Sequence, residues 1–472
     1  MTIRPVFSAC SLVMLLVLVS AAAQAQTPTV LYSFDANNSG DPFSFQNSGT
    51  LAQGQDGNIY ATSASGGQGT YPYPEGTVFN ITPTGSSLTE MVTFTYSNEQ
   101  GCPDGCNPYS GVEPLPDGNF LVAPLVGGQS GYGPILIVAP NGSSVTSLYS
   151  FTGGSDGGEL FAAPILGTDG NYYGVTACGG STPCGTMSQG CGTIYQLTPA
   201  GTLGWVYQLG GTNGCNGFAP LVEGKDGNFY GSTITGTIFR VTPAGVFKVL
   251  NSSHGGTAPL LQGSDGNFYG ASLVGVGSCG TIFKMTLAGK LTVLHSLSPD
   301  ESEGCDLYAG LVQGTDGYFY GVTATGGSSN SGTIVRVGSK GGSTFSVLYN
   351  FDGVIGGGVK IPLLQHTNGT FYGFGNVGGT YGYGTFFSLN EGLKPFASLV
   401  TTSAPVGATI GILGQGFTGT KKVTFPGGSA AFNVVSDTYL TATVPTGARS
   451  GFVTVKTRSG TLKSNKKFTV TP

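Results

Sequence analysis

Residues Asp265–Gly270 read DGNFYG, and near-copies return along the chain: DGNIYA from Asp56, DGNFLV from Asp117, DGNYYG from Asp169, DGNFYG from Asp226, DGYFYG from Asp316 and NGTFYG from Asn368. The seven anchors lie 39 to 61 residues apart. Each is followed by a second block, such as GTVFNITPTG from Gly76, GTIYQLTPAG from Gly192 or GTIFKMTLAG from Gly280. A repeated Asp-Gly step at the end of an apolar run is a hairpin signal, because Asp bonds its own backbone and Gly tolerates positive φ. A unit therefore reads as four short strands: A before the Asp-Gly turn, B after it, then C (Thr-Ile-Phe-Lys-Met) and D (Leu-Thr-Val-Leu-His) joined by a second glycine turn. Four strands repeated seven times predict an all-β chain built as a seven-bladed β-propeller.

Val30–Phe34, VLYSF, matches the D strands at Ser147–Phe151 and Val347–Phe351 but precedes the first A strand. The seventh unit has A, B and C and then runs into Leu393-Lys394-Pro395, so the N-terminal strand is expected to complete the last blade and leave no open edge. The boundaries follow: 1–25 a signal peptide, 26–392 the propeller, 393–472 a second domain.

The signal peptide is read from Arg4, an apolar run over Leu12–Val19 and the Ala23-Gln24-Ala25 cleavage pattern. That run is too short to span a membrane, so the expectation is a secreted, periplasmic or cell-surface protein with no membrane insertion. Charged residues make up 9% of the chain and 83 of its 472 residues are glycine, a turn-dense β composition whose aromatic content argues against disorder.

The pattern LYSF, DGNFYG and GTIFKxTPxG resembles the GloVer tandem repeats of exported bacterial proteins, over Val30 to Gly392. The resemblance implies an architecture and no particular reaction. The segment from Leu393, with Pro405-Val-Gly-Ala-Thr-Ile-Gly-Ile-Leu-Gly-Gln-Gly-Phe417, Lys422-Val-Thr-Phe425, Tyr439-Leu-Thr-Ala-Thr-Val-Pro445 and Gly451-Phe-Val-Thr-Val455, is similar to the immunoglobulin-like IPT/TIG domain, a small β-sandwich. It carries nine Lys and Arg against Asp437 alone, a balance of +8, whereas the preceding residues total −13. Such a basic unit either docks on the acidic propeller or attracts an outside polyanion. The second outcome is favoured here, through Lys421, Lys422, Lys463, Lys466 and Lys467.

Eight cysteines follow the signal peptide, and an even count in an exported chain predicts disulfides. Strand order places Cys191 with Cys215 and Cys279 with Cys305 on one face; elimination leaves Cys102 with Cys106 and Cys178 with Cys184. Signals for catalysis are weak. Gly153-Gly-Ser155-Asp-Gly157 matches a nucleophile-elbow pattern but no helix follows it. His254, His295 and His366 show no metal-ligand spacing, and neither a P-loop nor a dinucleotide fingerprint occurs. No cofactor or metal is expected, and nucleic acid is not an expected partner because the basic residues lack aromatic stacking neighbours.

A to B and C to D turns fall on one face of the disc and the long, variable B to C and D to A loops on the other, where recognition does not disturb the core. There Tyr71, Tyr73, Tyr132, Tyr381 and Tyr383 form the expected ligand-binding set, since tyrosine rings stack on sugars and bond hydroxyls. The functional expectation is a non-enzymatic binder of an envelope or extracellular glycan or another surface protein. The alternatives are a carbohydrate-active hydrolase or lyase using acids among Asp104, Asp156, Glu159, Asp300, Glu301 and Glu303, and a structural spacer. The oligomeric state stays open.

Overall fold

The computed structural model describes residues 27–35, 41–45, 49–67, 74–97, 101–182, 190–273 and 279–472; the expected signal peptide, 1–25, lies outside them. The hexapeptide explains the architecture letter by letter. The Asp265 carboxylate accepts the Asn267 backbone N–H at 3.0 Å, the Asn267 side-chain amide at 2.9 Å and the Tyr269 hydroxyl at 2.9 Å. Gly266 takes φ +82°, the left-handed conformation the turn needs. Phe268 packs on Tyr230 of the preceding sheet, with centroids 4.1 Å apart, and Tyr269 stacks on Phe319 of the following sheet at 3.7 Å. Gly270 has no side chain because the Phe283 ring lies there: a Cβ would sit 2.5 Å from its Cζ.

The same joint recurs where Tyr60 meets Phe120, Tyr173 meets Phe229 and Tyr320 meets Phe371, at 4.3, 3.7 and 4.3 Å. Each copy belongs to one of seven four-stranded antiparallel sheets among the described residues. The fifth, for example, comprises Leu261–Gln262, Phe268–Ser272, Thr281–Met285 and Leu291–Ser296. Apolar clusters join every consecutive pair of sheets. A further cluster, with Phe34, Phe45, Phe79 and Phe374, joins the seventh to the first, so the packing returns to its start.

Hydrogen bonds follow the same circuit. The residue before the anchor donates its backbone N–H to a Gln or Glu on the inner strand of the next sheet: Thr168 to Glu223, Lys225 to Gln262, Ser264 to Gln313, Thr315 to Gln365 and Thr367 to Gln53, at 2.8–3.1 Å. The belt stops at the second sheet. Pro114 of the second sheet and Leu166 of the third stand where an acceptor is needed, and Pro116 of the second has no N–H to give.

Thr29–Ser33 is the fourth strand of the seventh sheet, antiparallel to Thr385–Leu389 with a bulge between Val30 and Tyr32. From Phe396 the chain forms a separate core of Ile410, Ile412, Phe425, Leu440, Val455 and neighbours between two four-stranded sheets. A short parallel pair, Ser403–Pro405 with Thr469–Thr471, adds to it. Among the described residues no helix is long and apolar enough to cross a membrane.

Phe34 is fully buried and its ring meets Phe45, Phe79 and Phe374 at 5.2–6.4 Å. Phe34→Ala should therefore destabilise the fold by about 3–5 kcal/mol in urea unfolding. A loss below about 1 kcal/mol would mean that the closing strand contributes little to the ring.

Candidate functional site

On the loop face one register position recurs in each unit, the residue just before the strand-C glycine: Glu75, Tyr132, Cys191, Thr235, Cys279, Ser331 and Tyr383. In four units its carbonyl accepts the N–H of a residue in the next D to A loop. Asn107 donates to Glu75 at 2.7 Å, Glu159 to Tyr132 at 2.9 Å, Asn216 to Cys191 at 2.7 Å and Gly358 to Ser331 at 3.1 Å. Three of those donors are non-glycine residues with φ between 53° and 58°, backbone strain tolerated because the contact fixes the loop.

The side chains at this position then brace the loop in different ways. Cys191 is bonded to Cys215 and Cys279 to Cys305. The Tyr383 ring meets Phe43 at 5.7 Å, edge on. The Tyr132 ring lies over Gly153, whose Cβ would be 2.6 Å from it. Tyr132 and Tyr383 thus hold loops where other units use disulfides. A signal for this was present in the sequence, since aligning the units puts two cysteines in the same column as the two tyrosines.

Cys102 and Cys106 are bonded to each other, as expected. Cys178 is also in a disulfide; Cys184 lies outside the described residues, as do Tyr71 and Tyr73. Disulfides fit an oxidising compartment. Cys279, Glu301 and Cys305 cluster within 4.8 Å, but the two sulfurs are bonded to each other, and a disulfide supplies no thiolate to a metal.

The loop-face acids serve their own loops. Asp156 accepts the Tyr149 hydroxyl at 3.0 Å and the Thr152 N–H at 2.9 Å. Asp41 repeats this with Tyr32 and the Asp35 N–H, and Glu303 with His295 and the Ser298 N–H. Burial first, then the neighbouring carboxylates, push the Tyr32 and Tyr149 hydroxyls well above the ordinary phenol range. Asp300 accepts the N–H and hydroxyl of Ser302 in a tight turn, and Glu159 is one of the strained loop-bracing residues. His295 stacks on Phe345 at 3.6 Å, and His366 is buried on the Gly57 carbonyl.

Tyr381 differs. It is 53% exposed and shares its pair of loops with Val354 at 69% and Val377 at 45%. The Gly379 N–H donates to the Val354 carbonyl at 2.8 Å, and the Asp352 carboxylate accepts the N–H groups of Val354 and Ile355. Those bonds, outweighing partial burial, keep the Asp352 carboxyl below its ordinary range.

A second feature lies on the axis. The inner strands enclose a cavity of about 240 Å³ walled by Ile165, Val222, Leu261, Val312 and their neighbours, with Glu113 as its one carboxylate. Burial raises Glu113 to about 7, and attraction to Lys466 of the C-terminal unit partly offsets this. Water reaches Lys466, yet protein atoms crowd its ammonium; that crowding lowers its pKa and Glu113 pulls it back up. Of the other basic residues in the predicted set, Lys421 and Lys422 are exposed on the surface. Lys463 and Lys467 lie 3.9 and 5.8 Å from the Phe452 ring centroid.

A family model for the Gloeobacter/Verrucomicrobia repeat matches residues 47–259 and 256–416. The chain belongs to this family. No curated protein matches it. Similar solved structures include a candidate 6-phosphogluconolactonase from Bacteroides uniformis at 13% identity, covering 71% of this chain and 93% of that one with a TM-score of 0.47. A second candidate 6-phosphogluconolactonase, from Bacteroides fragilis, matches at 15% identity, with 66% and 87% covered and a TM-score of 0.42. TolB from Acinetobacter baumannii matches at 14% identity, with 62% and 66% covered and a TM-score of 0.37. The Gloeobacter/Verrucomicrobia repeat match spans all seven hexapeptide anchors, begins after the N-terminal strand and ends inside the C-terminal unit.

Glu113 gives a pH signature. An acid whose folded pKa lies above its unfolded value costs stability as it ionises, so the cost is absent below about pH 4.5 and complete above about pH 7. Glu113→Gln should match wild type in melting temperature at pH 4 and exceed it at pH 8. In Lys466→Met the Glu113 carboxyl should titrate above pH 7 by carbon NMR; an unmoved titration would show that the two groups do not interact.

Proposed function

We propose that the chain is an exported seven-bladed β-propeller followed by an IPT/TIG-like immunoglobulin sandwich, and that it binds a glycan without catalysing a reaction on it. The observation that carries this reading is the exposed group of Tyr381, Val354 and Val377 on loops pinned by backbone hydrogen bonds. Exposed apolar side chains on hydrogen-bonded loops mark candidate contact sites, and an exposed tyrosine ring offers a platform for one face of a sugar ring. The engaged state of Asp156 and Glu303 favours binding over hydrolysis, since a general acid or base must be able to reach substrate. Lys421 and Lys422 supply a second, electrostatic contact for an acidic polysaccharide. Another surface protein is the competing ligand for the same loops.

A glycan array probed with the mature protein tests this. Tyr381→Ala should weaken binding about tenfold, an effect of about 1.4 kcal/mol, without a change in melting temperature. Full binding by that variant, or no glycan bound at all, would reject the proposal. Product release from any bound glycan would favour the hydrolase or lyase reading instead.

A further inference from the structure

The A to B turn of the seventh sheet departs from the others. Where five sheets carry glycine two residues before the anchor (Gly54, Gly167, Gly224, Gly263 and Gly314), the seventh carries His366, and its anchor is Asn368 rather than Asp. Each change has a contact. His366 is buried; its Nε2 donates to the Gly57 carbonyl in the first sheet at 3.0 Å, and its Nδ1 accepts the Asn368 N–H at 3.2 Å.

Thr367 then gathers three bodies on one hydroxyl. Its Oγ1 accepts the side-chain amide of Gln53 from the first sheet at 2.9 Å and that of Gln415 from the C-terminal unit at 2.8 Å, and donates to the Gly414 carbonyl at 3.3 Å. Its carbonyl accepts the Phe396 N–H at 3.0 Å. On the first sheet, the Gln55 carbonyl accepts the hydroxyls of Thr438 at 2.8 Å and Ser436 at 3.4 Å. Gly57 leaves room for the Thr438 methyl, which would stand 2.7 Å from a Cβ there.

These contacts reach the seventh and first sheets together, at the junction where the ring closes. That junction has a particular weakness. In the other six sheets a hairpin links strand D to strand C, whereas the outer strand of the seventh sheet, Thr29–Ser33, comes from the far end of the chain. A strand tethered at one end frays more readily than one held in a hairpin.

We propose that the C-terminal unit is an intramolecular clasp, seated on the Gln55 and Thr367 turns, which holds the first and seventh sheets in register and keeps the ring closed. This goes beyond ligand binding on the opposite face and does not depend on it.

The sixth sheet supplies an internal control, because Thr315 makes the same bonds to Gln365 that Thr367 makes to Gln53 but touches no second domain. Amide hydrogen exchange of the full mature protein is the measurement. Thr367→Val should speed exchange in Thr29–Ser33 and Thr385–Leu389 at least tenfold more than Thr315→Val does, with the third to fifth sheets unchanged. The double variant Gln415→Ala, Thr438→Ala, which leaves the ring's own residues intact, should do the same. Equal effects of Thr367→Val and Thr315→Val, a uniform rise across all seven sheets, or no change in the double variant would overturn the proposal.

Discussion

The structure depends on a tyrosine that faces two ways. Its ring stacks on a phenylalanine of the next sheet while its hydroxyl returns to the aspartate that makes its own turn, as in Tyr269 with Phe319 and Asp265. A buried phenol without a partner would cost a few kcal/mol, so the turn is bound to the packing it serves. Asp265 shows the balance. Burial opposes its ionisation, yet Lys284, Asn267 and Tyr269 together hold its carboxyl down at about 2. The Asp265 carboxylate is saturated by its own unit, and the acid, present in six of the seven anchors, serves the frame.

From that frame the two faces acquire different characters. The turn face is short and uniform enough for a second domain to sit on it, through Gln55 and Thr367. The loop face carries length and variety because one backbone contact, repeated in four units, anchors the loop at its base. Above that contact the side chain is free to differ: a disulfide at Cys191, an aromatic pair at Tyr383, a ring over glycine at Tyr132. Variation of that kind leaves the core unaltered.

What the sequence revealed follows from distance along the chain. The hairpins, the strand pattern and the pairing of Cys191 with Cys215 and Cys279 with Cys305 are local or come from one repeat to the next, so periodicity exposes them. The role of Tyr383 is hidden because its partner, Phe43, belongs to the opposite end of the chain. Lys466 is hidden for a related reason. In the sequence it is one of several lysines on a basic segment, and only the docking of that segment brings it near Glu113. The partners of Asp156 and Glu303 are hidden for a third reason, since composition counts carboxylates but says nothing of Tyr149 or His295 on the neighbouring strand.

The gap in the hydrogen-bonded belt has its own consequence. Five links run from the third sheet through the seventh to the first, and the two missing links both flank the second sheet, at Pro114, Pro116 and Leu166. Around its inner edge the second sheet is instead tied to the first by a different pair, the Val112 N–H on the Thr50 carbonyl at 3.2 Å and the Thr50 hydroxyl on the Val112 carbonyl at 2.9 Å, so that the bonding changes its partners beside Glu113, the carboxylate lining the bore.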